Sequence, residues 1–280
     1  MKIGFIGLGN MGAALAQAVS QQPDTQLLLS NHNPAKAHAL QEKVGGQLFS
    51  NGEIAEQAEV IFLGVKPHLI QPVLSGLQDQ ISQNSSAIWI SMAAGVTIDS
   101  LAEYVSADKL IRIMPNTPVA IGQGMTTYSL VNQDLAPLLE QILEKSGKVQ
   151  QVPESLIDAA TAIAGCGPAF VYQMIEALTD AGVQNGLTAQ DAKVLAAQTL
   201  AGTAQMVLDS DKHPAQLRQE VTSPGGSTIA GVVTLEKEGF RYAIIKAVAA
   251  ALKKTKKLGG EKILMTVDFQ SQDRCKGLAD

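Results

Sequence analysis

The chain has 280 residues and a formal net charge of −5, with 46% hydrophobic and 17% charged residues. This composition indicates a folded globular protein and excludes a disordered chain, and the length is sufficient for two domains. The acidic balance comes without any block of basic residues, so a nucleic-acid partner is not expected. Cys166 and Cys275 are too few and too far apart to indicate a disulfide framework or a metal cluster.

The four histidines show no metal-ligand spacing, so no metal site is expected. The chain opens without a charged and apolar leader. No uninterrupted apolar run reaches the roughly 18 to 20 residues that a membrane span needs. These observations predict a cytoplasmic location and no membrane partner.

The first predicted elements are a strand, a glycine-rich turn and a helix. An apolar run at residues 2–6 precedes Gly7-Leu8-Gly9-Asn10-Met11-Gly12, and a helical stretch follows at Ala13–Ser20. In a dinucleotide-binding fold the first glycine permits the turn, the second lets the pyrophosphate approach the backbone, and the third lets the helix pack closely on the strand. The helix start then faces the phosphates. The predicted cofactor-binding residues here are Gly7, Gly9, Asn10, Met11 and Gly12.

The residues after the second predicted strand, Gln26–Ser30, indicate which dinucleotide is bound. An acidic residue at this place would bond the ribose 2′-hydroxyl of NAD and repel a 2′-phosphate. The chain has no carboxylate there and instead offers hydrogen-bond donors at Ser30, Asn31, His32 and Lys36. NADPH is therefore the predicted cofactor, with NADH as the alternative. A merely solvated turn at His32 and Lys36 is the competing interpretation.

Strand-like and helical runs then alternate, which predicts a Rossmann-type doubly wound sheet over residues 1–152. The further predicted strands are Val60–Gly64, Ala87–Ile90, Leu110–Met114 and Met125–Ser129, with helices at Leu69–Gln80 and Ile98–Tyr104. From residue 153 to residue 280 the pattern becomes all-helical. The helices predicted there are Leu156–Ala164, Ala169–Gln184, Ala189–Leu208, Pro214–Glu220, Thr228–Glu238 and Phe240–Lys257.

Two proline-containing loops follow predicted strands of the sheet. They are Gly64-Val65-Lys66-Pro67-His68 and Arg112-Ile113-Met114-Pro115-Asn116-Thr117-Pro118. Ligands of such sheets bind at the carboxyl ends of the strands, and the prolines stiffen both loops. We therefore predict a wall on the nicotinamide side of the cofactor that includes Val65, Lys66, Pro67 and Asn116. Prolines that only end two strands are the simpler alternative.

The most informative motif is the turn Thr222-Ser223-Pro224-Gly225-Gly226-Ser227-Thr228, directly before a predicted helix. The first amides of a helix lack partners, the helix dipole adds partial positive charge, and paired glycines let an anion approach the backbone. The turn is therefore predicted to bind a carboxylate group. The residues assigned to this role are Ser223, Gly225, Gly226, Ser227 and Thr228. An ordinary capped helix start is the alternative.

Together these motifs resemble those of pyrroline-5-carboxylate reductases, over Met1 to about Gly259. The most specific parts are Val65-Lys66-Pro67, Met114-Pro115-Asn116-Thr117-Pro118, Gly165-Cys166-Gly167-Pro168-Ala169-Phe170, Asp180-Ala181-Gly182-Val183, His213-Pro214, Val221-Thr222-Ser223-Pro224-Gly225-Gly226-Ser227-Thr228 and Gly239-Phe240-Arg241. The resemblance implies reduction of (S)-1-pyrroline-5-carboxylate to L-proline, the last step of proline biosynthesis. Hydride from NAD(P)H would go to the imine carbon.

The resemblance also implies roles for one residue and for the helical domain. The family position that matches Thr228 makes it the hydrogen-bond partner of the imine nitrogen, so Thr228 is the expected catalytic residue. Threonine is too weak an acid to supply the proton itself, which would come with the substrate or through water. A capping hydroxyl is the alternative for Thr228, and close packing is expected for Cys166.

The helical domain is expected to form a homodimer. Apolar runs at Leu195–Ala204 and Ala243–Leu252 exceed what its own core needs. In the resembling family the C-terminal helices of two protomers interlock, so a homodimer is the implied minimum unit. Higher homo-oligomers are left open.

Two other functions are left open by the sequence. The opening Gly4–Gly12 also resembles that of 3-hydroxyisobutyrate-type dehydrogenases, which use a lysine of the second domain as acid and base. The helix after Gly165-Cys166-Gly167-Pro168 has no lysine, which counts against this function. A non-catalytic NADPH sensor is the other alternative, although the anion-binding turn would then have no purpose. A six-membered cyclic imine is also left open as substrate.

Overall fold

The computed structural model describes residues 1–258, and its first part is an eight-stranded sheet. The strands are β1 Lys2–Ile6, β2 Gln26–Ser30, β3 Gln47–Leu48, β4 Val60–Leu63, β5 Ile88–Ser91, β6 Leu110–Met114, β7 Gly124–Leu130 and β8 Gly147–Gln151. Their order is β3-β2-β1-β4-β5-β6-β7-β8. Neighbouring strands are parallel except β6 and β7. The order reverses beside β1, and the predicted Rossmann-type sheet is confirmed.

Helices lie between the strands and make up most of the second part. In the first part they are α1 Asn10–Val19, α2 Pro34–Val44, α3 Asn51–Gln57, α4 Pro67–Ser75, α5 Gln78–Gln83, α6 Ile98–Leu101 and α7 Ala136–Leu143. In the second part they are α8 Ile157–Ala160, α9 Gly167–Gln184, α10 Ala189–Leu208, α11 Pro214–Glu220, α12 Ser227–Lys237 and α13 Phe240–Leu258. The described residues after Gln151 contain no strand, as the sequence predicts.

The sheet carries an apolar core on each face. One core contains Phe5 and Phe62, whose rings stack with centroids 4.6 Å apart. The other contains Ile61 and Trp89. Parallel strands covered on both faces need apolar residues at successive positions, and all four residues of β4 are buried. This continuous burial is why the central strands are predictable from their sequence.

The helical part packs differently from the sheet part. Helices α9 and α10 form a hairpin in which a Cβ on Gly182 would lie 2.7 Å from the Ala192 side chain. Ala192 and Ala196 are the buried residues of α10, and no residue of α9, α11 or α12 is buried in the single chain. Large apolar side chains are exposed instead, among them Val171, Tyr172, Val194, Leu195, Met206, Leu208, Val233, Tyr242 and Ile245.

Several helix boundaries differ from the predictions. The helix predicted over Leu69–Gln80 is divided, because α4 ends at Ser75 with Gly76 as its C-cap, before α5 begins at Gln78. The helix predicted over Ile98–Tyr104 is only one turn long. The helix predicted over Leu156–Ala164 widens into a π-helical segment, Thr161–Gly165, in which the Cys166 amide donates to the Thr161 carbonyl at 3.0 Å.

The helical run Glu154–Gln184 is long and mostly apolar. By length and composition Glu154–Gln184 could cross a membrane, and 17% of its most apolar window is buried. The sequence criterion differs, because it counted uninterrupted apolar residues and charged residues such as Asp158 and Glu176 interrupt this run. A helix that packs against another protein chain meets the same criteria.

Candidate active site

The glycine-rich turn after β1 has the geometry predicted for a dinucleotide site. Gly7 has a φ of 98°, which favours glycine, and a Cβ on Gly12 would lie 2.2 Å from the Gly7 carbonyl oxygen. A Cβ on Gly9 would meet no atom within 4 Å, so the space beside it is open. Helix α1 begins at Asn10 with no side-chain cap, which leaves its first amides, including that of Met11, available. This cradle fits a pyrophosphate.

The end of β2 has both structural and exposed side chains. Ser30 is buried and its hydroxyl donates to Asn51 Oδ1 at 2.7 Å. Asn31 Oδ1 accepts the Leu8 amide at 2.9 Å, so this side chain holds the glycine turn. His32 and Lys36 are exposed, and Lys36 lines a cavity of about 430 Å³ together with Gly9 and Asn10.

Asn51, at the start of α3, is a residue that the sequence reasoning missed. The only sequence sign of its role is that it follows a strand, and that strand, β3, is too short to show an apolar alternation. Of the four residues predicted beside the ribose, Ser30 and Asn31 thus shape the rim through internal bonds. His32 and Lys36 remain the exposed donors on this rim.

The loops after β1 and β4 meet closely on the predicted nicotinamide side. A Cβ on Gly64 would lie 2.3 Å from the Gly7 carbonyl oxygen. Val65 follows, half-buried, and Lys66 and Pro67 are exposed at the start of α4. Pro67 occupies the first helical position, where its missing N–H costs nothing. These residues lie after β4 beside the glycine turn, and their contact with the nicotinamide stays a prediction.

The loop after β6 carries Asn116, which the structure places at the boundary between the two parts of the chain. Asn116 is buried, its Nδ2 donates to the Ala164 carbonyl at 3.1 Å, and its Oδ1 accepts the Met125 amide at 2.8 Å. Both polar ends of the predicted cofactor contact are thus bonded within the protein.

An ion-pair cluster is centred on Arg112 of β6, the strand that precedes this loop. The Arg112 side chain is 3% exposed and bonds Glu154 Oε1 and Asp158 Oδ1, each at 3.1 Å. Glu154 Oε1 also accepts the Ile98 amide at 2.8 Å. The sequence reasoning missed this cluster, because a single arginine in an apolar strand does not reveal which distant carboxylates it meets. It connects the sheet to the first turns of the helical part.

The predicted anion-binding turn is preformed on the surface of the single chain. The Gly226 amide donates to the Ser223 carbonyl at 3.1 Å, and Gly225 has a φ of 68°. Helix α12 then begins at Ser227, one residue earlier than predicted, without a side-chain cap. Ser223, Ser227 and Thr228 are exposed. The turn therefore presents unpartnered amides and hydroxyls together, as binding of an anion requires.

The cradle, the crevice and the helical part define a two-domain oxidoreductase of the nicotinamide-dinucleotide class. A family model described as pyrroline-5-carboxylate reductase dimerisation matches residues 154–258, and one described as NADP oxidoreductase coenzyme F420-dependent matches residues 2–95. A pyrroline-5-carboxylate reductase of Pisum sativum is 38% identical over 262 residues, which cover 91% of this chain and 95% of that protein.

Solved structures give the same result. The pyrroline-5-carboxylate reductase of Coxiella burnetii is 35% identical with a TM-score of 0.83, covering 91% of this chain and 97% of that one. The Plasmodium falciparum pyrroline carboxylate reductase, solved with NADP bound, is 35% identical with a TM-score of 0.79, covering 92% and 98%. The chain belongs to the pyrroline-5-carboxylate reductase family, whose members reduce 1-pyrroline-5-carboxylate to proline with NAD(P)H.

Proposed function

We propose that this chain reduces (S)-1-pyrroline-5-carboxylate to L-proline, with NADPH as its preferred cofactor and NADH as the alternative. The observation that carries the proposal is the uncapped, glycine-rich start of α12, which accompanies a dinucleotide cradle in one chain. When bound, the nicotinamide supplies a hydride to the imine carbon. The protein then needs to bind the carboxylate, orient the ring and offer a hydrogen bond at nitrogen.

The carboxylate is assigned to the turn at residues 223–228. Backbone amides of Gly225 and Ser227 and the hydroxyls of Ser223 and Ser227 provide neutral donors at the positive end of a helix dipole, while the Gly226 amide closes the turn by donating to the Ser223 carbonyl. A substituent on Gly226 would lie 2.4 Å from Ser223 Oγ and fill this turn. Gly226→Val is therefore expected to raise KM for the imine while NADPH affinity stays near that of the wild type.

Thr228 is assigned the hydrogen bond to the substrate nitrogen. Its hydroxyl is exposed on the first turn of α12, beside the proposed carboxylate site. The imine nitrogen of the substrate is protonated before or during hydride addition, and the Thr228 oxygen accepts a hydrogen bond from that N–H. The proton itself comes with the substrate or through water, because threonine is too weak an acid to supply it.

The cofactor is assigned to Gly7, Gly9, Asn10, Met11 and Gly12 at the pyrophosphate and to Val65, Lys66 and Pro67 at the nicotinamide end. Preference for NADPH is assigned to His32 and Lys36, whose exposed donors face no carboxylate at the end of β2. Ser30 and Asn31 support this rim through their bonds to Asn51 and Leu8.

The active unit is proposed to be a homodimer formed by the helical domain, with the division at residues 1–152 and 153–280. The exposed apolar faces of α9 and α10 lie in the segment that matches the dimerisation model. A second chain would cover them, including the apolar run Glu154–Gln184, so no membrane is needed to explain that run. A cytoplasmic location stays part of the proposal.

NADPH consumption with 1-pyrroline-5-carboxylate tests the proposal, repeated with NADH and with the six-membered cyclic imine. A parallel panel measures alcohol oxidation. The dehydrogenase alternative requires activity in that panel, although α9 contains no lysine. A sensor would bind NADPH without turnover of any imine. Activity only in the alcohol panel, or NADPH binding without turnover of any imine, would contradict the proposed reduction.

A further inference from the structure

One buried side chain links the loop on the nicotinamide side to the helical domain. Asn116 is 9% exposed, and its carboxamide joins Met125 of β7 to Ala164 of the π-helical segment. The loop itself is stiffened by Pro115 and Pro118 on either side. Hydrogen bonds at both ends of its carboxamide therefore restrain the Asn116 side chain, and the backbone of the helical domain is bonded to it directly.

The Ala164 carbonyl needs this outside donor because of Pro168. In an α-helix the carbonyl of residue 164 would accept the amide of residue 168, and proline has no N–H. The following amide, that of Ala169, donates to the Cys166 carbonyl at 3.1 Å. Ala164 is half-buried, and a carbonyl withdrawn from water without a donor is costly. Asn116 supplies the donor that the helix lacks, so the two sequence motifs that contain Asn116 and Pro168 form one joint.

A second set of contacts, made by β6 itself, also connects the sheet to the helical part. Arg112, four residues earlier in β6, bonds Glu154 and Asp158 of the helical part at 3.1 Å each. Contacts at residues 154, 158 and 164 together leave this part of the helical domain little freedom to rotate against the sheet. Of the two contacts, the one through Asn116 lies in the loop at the crevice.

We propose that Asn116 is a positioning residue of the reductase and acts through Ala164. The inference rests on the proposed function. The loop of Asn116 belongs to the nicotinamide wall, whereas the helical domain carries the turn that binds the substrate. The joint therefore sets the distance between the hydride donor and the imine carbon, whichever chain of a dimer provides the turn. Misplacement by about 1 Å costs such a reaction as much as about 100-fold in rate.

The test compares Asn116→Ala with Asn84→Ala. Asn84 is the matched control because its carboxamide also makes two hydrogen bonds to the backbone, from Nδ2 to the Ala55 and Ala58 carbonyls at 3.0 and 2.9 Å, but within the sheet part. We expect Asn116→Ala to lower kcat about 10- to 100-fold. NADPH affinity should be unchanged and the deuterium isotope effect on kcat with C4-dideuterated NADPH should increase. Asn84→Ala should lower the thermal midpoint and leave kcat and the isotope effect as in the wild type.

Two further variants separate positioning from stability. Asn116→Asp keeps the acceptor for Met125 but loses the donor to Ala164, so it should show the same loss of kcat. Asn116→Ala combined with Pro168→Ala gives the Ala164 carbonyl a helical donor, so the thermal midpoint should recover while kcat stays low. Recovery of kcat together with the midpoint would overturn the inference, as would a kcat for Asn116→Ala equal to that of Asn84→Ala. Absence of wild-type turnover would instead contradict the proposed function.

Discussion

Phe5, Leu15 and Trp89 are almost completely buried in the sheet part, whereas Leu195, Tyr242 and Ile245 lie on the surface of the helical part of a single chain. The sheet part thus closes a core on each face with its own residues. The helical part leaves many of its large apolar residues outside, and its long helix α10 buries only Ala192 and Ala196. The stability of the first part is therefore a property of one chain, while that of the second depends on protein concentration if two chains associate.

The largest expected effect comes from breaking the joint between the two parts. Arg112→Ala leaves two partly buried carboxylates, Glu154 and Asp158, without their cation. We expect the free energy of unfolding to fall by about 3 to 5 kcal/mol in urea titrations. Lys145→Ala, which removes an exposed pair with Glu144, should cost less than about 1 kcal/mol. If Arg112→Ala lowers the free energy of unfolding as little as Lys145→Ala does, the joint adds no stability.

The next prediction tests whether the exposed apolar residues of the helical part, unlike those of the sheet part, lie in a dimer interface. Leu195 is 56% exposed on α10 and Val131 is 61% exposed after β7. Leu195→Glu would place a charge in the proposed interface and should raise the dimer dissociation constant about 100-fold, which corresponds to about 2.7 kcal/mol. Val131→Glu should leave it unchanged. Light scattering over a dilution series, with activity read on the same samples, measures both; a fully active monomer would contradict the proposed dimer.

A smaller effect is expected at the substrate site of the helical part. Thr228→Ala should lower kcat/KM about 10- to 100-fold, the scale of about 1.4 to 3 kcal/mol for a hydrogen bond that strengthens in the transition state. Thr234→Ala is the control on the same helix, because the Thr234 hydroxyl donates to the Ala230 carbonyl at 3.0 Å and is remote from the turn. An unchanged kcat/KM would leave Thr228 with a role in the helix start alone.

In the sheet part, a change of cofactor preference is expected from Asn31→Asp. The new carboxylate can still accept the Leu8 amide, so the glycine turn should keep its shape. Its charge repels a 2′-phosphate and bonds a 2′-hydroxyl, which should lower the ratio of kcat/KM for NADPH over NADH about tenfold, or about 1.4 kcal/mol. Asn33→Asp adds the same charge at the start of α2 and should change the ratio less. A wild type that prefers NADH would contradict the assignment.

The smallest effect at neutral pH belongs to Tyr128. Burial, together with the hydrogen bond that the Tyr128 hydroxyl donates to Glu140 Oε1 at 2.8 Å, raises the pKa of Tyr128 to about 12. The folded state favours the neutral phenol, so this contribution is complete below about pH 10 and is lost as the pH rises towards 12. Tyr128→Phe should weaken the loss of stability over that window in thermal melts. If wild type and Tyr128→Phe lose stability equally as the pH rises, ionisation of Tyr128 is not the cause of that loss.

The difference between the two parts also decides what the sequence could predict. Strands such as β1 and β4 are continuous apolar runs because both sheet faces are covered, and their bounds were predicted within a residue. The exposed edge strand β8 has the sequence Gly-Lys-Val-Gln-Gln, without a regular alternation, and it was missed. The glycine cradle was predictable because each glycine of the Gly-x-Gly-x-x-Gly spacing meets a known requirement of the turn and helix.

The joint between the parts could not be predicted in the same way. Asn116 and Arg112 were visible as residue types, but their partners lie about 40 to 50 positions away and follow no local pattern. The π-helical segment was predicted as a plain helix, because helical periodicity does not distinguish the two. The missing N–H of Pro168 was the one local sign that a carbonyl would need a partner from elsewhere.

The dependence of Ala164 on Asn116 limits how this protein can be recombined with its relatives. A hybrid that keeps residues 1–152 and takes its helical domain from a donor without proline at the place of Pro168 would offer two N–H groups to one carbonyl. The new backbone amide would compete with Asn116 Nδ2 for that carbonyl and weaken the bond between the two parts. A breakpoint at Pro153 therefore separates two halves of one hydrogen-bonding unit, and functional chimeras should inherit the asparagine and the proline together or lack both.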